Sequence, residues 1–144
     1  MKRSIFVAGL LAFGVTAAIA QGNVVEQRQA LMKEMGAQVR TLGGMLRGQA
    51  PFDLAQAQSG LRILAENSQK ALPLFPESSR TVEKTGALPA IWENKAHFDS
   101  IFQKMNQDAQ AALASVRDEA SFKAAMPGVL QNCGACHNTF RQKT

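Results

Sequence analysis

The sequence predicts an all-α protein, an antiparallel four-helix bundle, and three observations carry that prediction. Apolar residues recur at alternating steps of three and four along four separate segments. Two short breakers and one long proline-bearing connection separate those segments. Strand-favouring residues are scarce: beyond residue 20, Val, Ile and Thr total fourteen of 124, and Tyr is absent. Hydrophobic residues make up 46 %, enough for one core, and no low-complexity tract argues for disorder.

The first twenty residues read as an export signal. Met1-Lys2-Arg3 supplies the positive start, Ile5 to Ala20 is apolar apart from Thr16, and Ala18-Ile19-Ala20 is an A-x-A cleavage signature. A membrane anchor is the competing reading. Sixteen residues at about 1.5 Å each reach only about 24 Å, short of a bilayer core of roughly 30 Å, and no stop-transfer charges follow. Cleavage after Ala20 is therefore expected, giving a signal peptide at 1–20 and one domain at 21–144, placed in a periplasm without stable membrane insertion. Loss of Lys2 and Arg3 takes the net charge from +5 to +3. That surplus is mild and no basic run accompanies it, so nucleic-acid binding is not expected.

The four segments follow in order. Residues 25, 28, 32, 35, 39, 42 and 46 form the first stripe, apolar except for Arg28. Arg47 to Phe52 is a breaker, and Asp53 suits an N-cap. Leu54, Ala57, Leu61, Leu64, Ser68 and Ala71 form the second stripe. Pro73, Pro76 and Pro89 bracket the long connection and rule out a continuous helix through it. A third helix is expected from Pro89, with Ile91, Lys95, Phe98, Phe102, Met105, Ala109, Ala112 and Val116 on one face. Asp118 or Ser121 is expected to cap a fourth, carrying Phe122, Met126, Val129, Cys133, Cys136 and Phe140. Pro127 is expected to kink that helix or shift its start.

The two cysteines carry the chemistry. In an oxidising compartment they would ordinarily form one disulfide, but a bridge from Cys133 to Cys136 closes too small a loop to add much stability. Cys133-Gly134-Ala135-Cys136-His137 is C-x-x-C-H, the attachment signature for c-type haem. Thiols three residues apart on a helix can each join one porphyrin vinyl group, and the adjacent imidazole can then ligate the iron. A thioredoxin-like C-x-x-C would open a helix after a strand, a context missing here. A structural zinc site would need His97 as fourth ligand, with no recognisable spacing to the other three.

With CGACHNTFR near the C-terminus, RQALMKEMG in the first helix, the GQAPFD turn and PAIW opening the third helix, the chain resembles the class II c-type cytochromes. This group contains cytochrome c′, itself a standard example of a four-helix bundle, and methionine-ligated low-spin relatives. The resemblance spans about Val24 to Lys143 and implies one covalently bound haem c. It implies thioether bonds at Cys133 and Cys136 and a proximal iron ligand in His137. Arg141, four residues on, matches a basic residue beside the proximal imidazole, or else is a solvated cation at a helix end. Arg28 matches an arginine that approaches a haem propionate, against the plainer reading of a snorkelling surface side chain. Met32 falls where the family places the distal residue facing the sixth coordination position. A thioether there would bind iron and raise its potential; otherwise Met32 is packing. Met35, one turn on, is the rival ligand. His97 is read as an exposed histidine, and Trp92 as a core or haem-edge aromatic.

The resulting functional expectation is a periplasmic monohaem electron carrier rather than an enzyme, meeting a redox partner protein transiently. The resemblance also implies homodimers in some members. The rival class is a gas-binding protein with five-coordinate iron open to NO or CO. A haem-free thiol–disulfide exchanger is the third class.

Overall fold

The computed structural model describes residues 12–81 and 85–143. The start of the expected signal peptide, residues 1–11, lies outside the described residues. The chain folds into an all-α bundle, and its only sheet-like feature among the described residues is an isolated bridge between Ala87 and Arg141. Helix α1 spans Ala12–Leu46 and α2 Leu54–Ala71. Two short 3-10 turns, Leu72–Leu74 and Glu77–Ser79, begin the long connection. Then come α3 (Ala90–Glu93), α4 (Lys95–Ser115) and α5 (Glu119–Phe140). No described helix is long and apolar enough to cross a membrane.

Helix α1 starts well before Val25, where its apolar stripe begins, because the preceding run is rich in alanine and free of proline. At its other end Gly48 takes a left-handed φ of 67°, and Gln49 N–H returns to the Gly44 carbonyl at 2.9 Å. The expected cap on α2 is present: Asp53 Oδ1 accepts from the Gln56 N–H at 2.8 Å. Asp53→Ala should cost about 1 kcal/mol of unfolding free energy, read as a lower urea midpoint with an unchanged slope.

The third helix departs from expectation. It is broken at Asn94, whose backbone leaves the helical region (φ −130°, ψ 52°). Asparagine competes with helix formation by local polar bonding. The break leaves α3 turned toward the connection, where Trp92 Nε1 donates to the Pro76 carbonyl at 3.0 Å. The apolar stripe nevertheless continues across it, with Ile91, Phe98, Phe102, Met105, Ala109, Ala112 and Val116 all buried. Lys95 is tolerated on that stripe by pairing with Asp99 and by lying 5.7 Å from the centre of the Phe98 ring.

Both cap candidates for α5 are used together. Asp118 Oδ1 accepts from Ser121 N–H at 2.8 Å, and Ser121 Oγ accepts from Asp118 N–H at 3.1 Å. These bonds from Ser121 hold the Asp118 carboxyl below its ordinary pKa. Pro127 does not move the start of the helix; α5 runs through it. Pro127 is exposed, so the Lys123 carbonyl that loses its partner is open to water.

Helix α1 packs on α2, α2 on α4 and α4 on α5, while α1 and α5 meet over a much shorter stretch. The buried side chains form two clusters. One holds Leu42, Leu61, Leu64, Met105, Phe122 and Met126, drawn from all four long helices. The other is aromatic, with Phe75, Phe98, Phe102 and Phe140 beside Ile91 and Ile101. Gly60 of α2 allows a close approach here, since a Cβ on it would stand 3.1 Å from the Leu42 side chain. Where α1 and α5 part, a cavity opens.

Candidate haem site

The cavity measures about 680 Å³ and is walled by α1, α4, α5 and the connection, within the usual range for a cofactor site. The last turns of α5 carry Cys133, Cys136 and His137 into it. Their placement follows from helical spacing, which sets residues three and four apart on one face. Cys133 packs against the first core cluster and Cys136 against the aromatic one. The thiols therefore straddle the seam between the two clusters.

Both thiols are half-buried and neither is in a disulfide. Burial pushes the Cys133 thiol up, and burial together with the neighbouring Cys133 pushes Cys136 up to about 11. A thiol–disulfide exchanger needs the opposite, a readily formed thiolate, so this environment argues against that class. Zinc fares no better: among the described residues no group of three or more His, Cys, Asp or Glu side chains is placed to hold a metal ion. His97 is exposed and lies with its ring 5.7 Å from that of Phe140.

His137 lines the cavity although its outer edge is exposed. Burial of part of the ring, and secondarily the charge of Arg141, lower its pKa and favour neutral imidazole. Neutral imidazole is the form that coordinates iron.

Arg141 reaches the site by a different route from the one expected. Helix α5 ends at Phe140, and Arg141 is extended (φ −118°, ψ 136°) rather than on the helix face. The chain is drawn off the helix by pairing with the connection. Leu88 N–H donates to the Phe140 carbonyl at 3.0 Å, and Gln142 N–H to the Gly86 carbonyl at 2.8 Å. This strap, Gly86 to Leu88 against Phe140 to Gln142, closes one edge of the cavity, and Arg141 lines it.

Arg28 is 2 % exposed and lies in the cavity wall. Nη1 donates to Ser79 Oγ at 3.1 Å and to the Leu74 carbonyl at 3.3 Å, and Nη2 donates to Thr85 Oγ1 at 3.1 Å. Its guanidinium carbon stands 4.8 Å from the Phe75 ring centre and 5.8 Å from that of Trp92. Burial lowers its pKa. Every described partner is neutral, and a buried cation with only neutral partners suits an anion in the adjoining space. Two thiols, an imidazole, apolar walls and this cation match the chemistry of haem c, with its vinyl groups, iron, apolar macrocycle and propionates. The residues present fit the group.

Met32, Met35 and Met105 all line the cavity. Met35 and Met105 are buried in the first cluster, whereas Met32 is half-buried and packs against both. Sequence reasoning passed over Ser79 and Thr85, the partners of Arg28, and Phe75. All three lie in the connection, where no periodicity marks a residue as inward-facing. It also passed over Asn132, a buried amide on the cavity wall whose Nδ2 donates to Asp108 Oδ2 at 2.7 Å.

Comparison with known proteins identifies the family. The family model described as Cytochrome C' matches residues 23–141. A cytochrome c′ of Rhodopseudomonas palustris (strain ATCC BAA-98 / CGA009) is 46 % identical over 137 residues, covering 95 % of this chain and 94 % of its own. A cytochrome c-556 of Agrobacterium tumefaciens (strain II Chrys) is 37 % identical over 120 residues, covering 83 % of this chain and 97 % of its own. The crystal structure of a triply substituted R. palustris cytochrome c′ superposes with a TM-score of 0.81 at 45 % identity, covering 83 % of this chain and 98 % of that one. The chain belongs to the cytochrome c′ family of helical-bundle cytochromes, and its cofactor is a single covalent haem c.

Proposed function

We propose that this chain is an exported one-electron carrier in which haem c is joined to Cys133 and Cys136 and its iron is held between His137 and Met32. Haem c, when bound, supplies an iron that gains and loses one electron. The single observation that carries the ligand assignment is the position of Met32. Among the described residues it is the one half-buried apolar side chain that packs against both core clusters. That puts it at the seam which Cys133 and Cys136 also straddle. A thioether ligand favours the reduced state and raises the potential.

The other side chains hold and shield. Arg28, kept in place by Ser79, Thr85 and the Leu74 carbonyl, binds a propionate. Arg141, fixed by the strap, adds its charge to the partial burial that favours the neutral form of the proximal imidazole. Phe75, Phe98, Phe102 and Phe140 exclude water from the cavity.

The periplasm is the proposed location, after cleavage behind Ala20. The residues replaced in the substituted R. palustris protein are a glutamine at its first position, then a phenylalanine and a tryptophan at the same intervals that separate Gln21, Phe52 and Trp92 here. That coincidence supports a mature chain beginning at Gln21.

The deciding experiment is an absorption spectrum of the purified holoprotein, ferric and dithionite-reduced, followed by CO. Sharp α and β bands in the reduced form that CO leaves unchanged are expected. A second reading is favoured by the 46 % identity to a cytochrome c′: a five-coordinate iron open to NO or CO, with Met32 as packing. A broad ferrous spectrum that shifts promptly with CO would establish it and remove Met32 as a ligand.

A further inference from the structure

We propose that Asn132 and Asp108 together lower the reduction potential of the cofactor, Asp108 turning the Asn132 carbonyl toward the cavity and setting its own negative charge behind it. This role needs only haem c in the cavity. It therefore goes beyond the carrier reading above and holds whichever group fills the sixth position.

Two buried polar side chains line the cavity, Arg28 and Asn132. A propionate accounts for Arg28, but nothing in the attachment chemistry calls for an amide. Asn132 is 6 % exposed and directly precedes Cys133 on α5. An amide buried this far is costly unless its polar atoms are used. Its Nδ2 donates to Asp108 Oδ2 at 2.7 Å, to the Gly128 carbonyl at 3.1 Å and to the Val129 carbonyl at 3.3 Å. An ionised carboxylate and a backbone carbonyl can only accept, so these partners dictate which end of the amide faces them. Oδ1 is left pointing the other way. It meets no donor among the described residues, yet no described polar side-chain atom is both fully buried and unpartnered. Oδ1 therefore reaches open space, which at a side chain this buried is the cavity it lines.

The charge behind it has the same sign. The charged side chains on the wall itself are cations, Arg28, Lys33 and Arg141. Among the described residues Asp108 is the one carboxylate hydrogen-bonded to a residue of the wall. It stands on α4, half-buried. A hydrogen bond from Lys104 chiefly, and another from Asn132, hold its carboxyl below the usual range although burial opposes them. Asp108 is thus an anion at neutral pH. Its counter-charge, Lys104, is mostly exposed and so is better screened by water and salt. A carbonyl oxygen aimed inward and a carboxylate behind it both favour ferric iron, which carries one more positive charge than ferrous, and so lower the potential. Asp108 touches no cofactor; it is a positioning residue and a source of field.

Redox titration of the holoprotein at neutral pH, followed by its absorption bands, tests this, one electron passing between a mediator couple and the iron. Asp108→Asn keeps the shape and removes the charge. It should favour the ferrous form by about three- to tenfold against a fixed reference couple. Asn132→Leu removes the dipole and should shift the balance the same way by a smaller factor. Lys104→Gln, at an exposed position that leaves the wall undisturbed, removes the counter-charge and should shift it the other way, by about twofold. A merely structural role cannot imitate this pattern, because a loosened wall admits water and lowers the potential, whereas Asp108→Asn should raise it. Glu66→Gln on α2, paired only with exposed Lys70, changes net charge equally and should have little effect. An Asp108→Asn potential equal to that of the wild type would reduce the Asp108–Asn132 bond to a tie between α4 and α5 and overturn the proposal. One equal to that of Glu66→Gln would leave only total charge and overturn it too. Hydrogen exchange on the ¹⁵N-labelled ferrous holoprotein reads the amide directly. The Asn132 side-chain NH₂ should exchange slowly, and faster in Asp108→Asn; exchange in the wild type as fast as that of exposed Asn138 would show that Asn132 is not held, and overturn its orientation. A CO-sensitive spectrum removes the carrier reading and leaves these shifts in place, so the two failures are told apart.

Discussion

Replacing Met32 by leucine should convert the reduced protein from a low-spin spectrum indifferent to CO into a high-spin one that binds it. Leucine preserves most of the volume, and such swaps usually cost under about 1.5 kcal/mol. The bundle should therefore persist while the thioether is lost. Met32→Ala should give the same spectral change with a larger drop in stability, a fraction of the roughly 2–5 kcal/mol lost when a fully buried methionine is truncated. Because Met32 packs on both clusters, a purely structural role would lower the unfolding midpoint and leave the spectrum alone. Met35→Leu is the internal comparison. Met35 is buried in one cluster, and its replacement should leave the low-spin bands in place. A Met32→Leu protein that stays low-spin, together with a Met35→Leu protein that does not, would transfer the ligand role to Met35.

Phe98→Ala should remove about 3–5 kcal/mol of stability, a large share of the roughly 5–15 kcal/mol a domain of this kind possesses. Phe98 is 2 % exposed and meets three rings: Phe75 at 4.7 Å, Phe102 at 4.9 Å and Phe140 at 5.3 Å between centroids. Phe122→Ala should cost a similar amount, since Phe122 is fully buried in the other cluster. The two variants separate packing from function. Phe98 lines the cavity and Phe122 does not, so only Phe98→Ala should admit water to the cofactor and lower its reduction potential. Chemical denaturation beside a redox titration of both proteins reads the difference. Equal potentials in the two would show that the aromatic wall has no part in setting the potential.

The helices and the attachment motif were legible because both are local. Stripes at steps of three and four named the buried faces of α1, α2, α4 and α5, and Asp53 and Asp118 announced their caps from residue type alone. Departures arise where a distant segment decides. Arg141 leaves the helix because Gly86 and Leu88 offer backbone bonds from the connection, which no spacing near residue 141 discloses. Asn94 breaks the third helix while the stripe around it still reads as continuous. Arg28 stood out as a charge on an apolar face, but Ser79 and Thr85 lie some fifty residues away in chain without periodicity. The cavity itself is the least legible feature. It exists because α1 and α5 diverge, a relation between helices that neither sequence segment contains.

The order in which its walls appear along the chain has a consequence for assembly. Helices α1, α2 and α4 and Phe75 of the connection all precede Cys133 in the chain. A chain made from its N-terminus has those segments in hand before the thiols, but their shared core also needs Phe122 and Met126 of α5. The contacts that shut the cavity edge, Leu88 to Phe140 and Gln142 to Gly86, join segments about fifty residues apart, and such long-range closures are slow. The cavity edge is therefore set only when the end of α5 finds the connection, and the residues that would hold the cofactor are brought together by that late pairing.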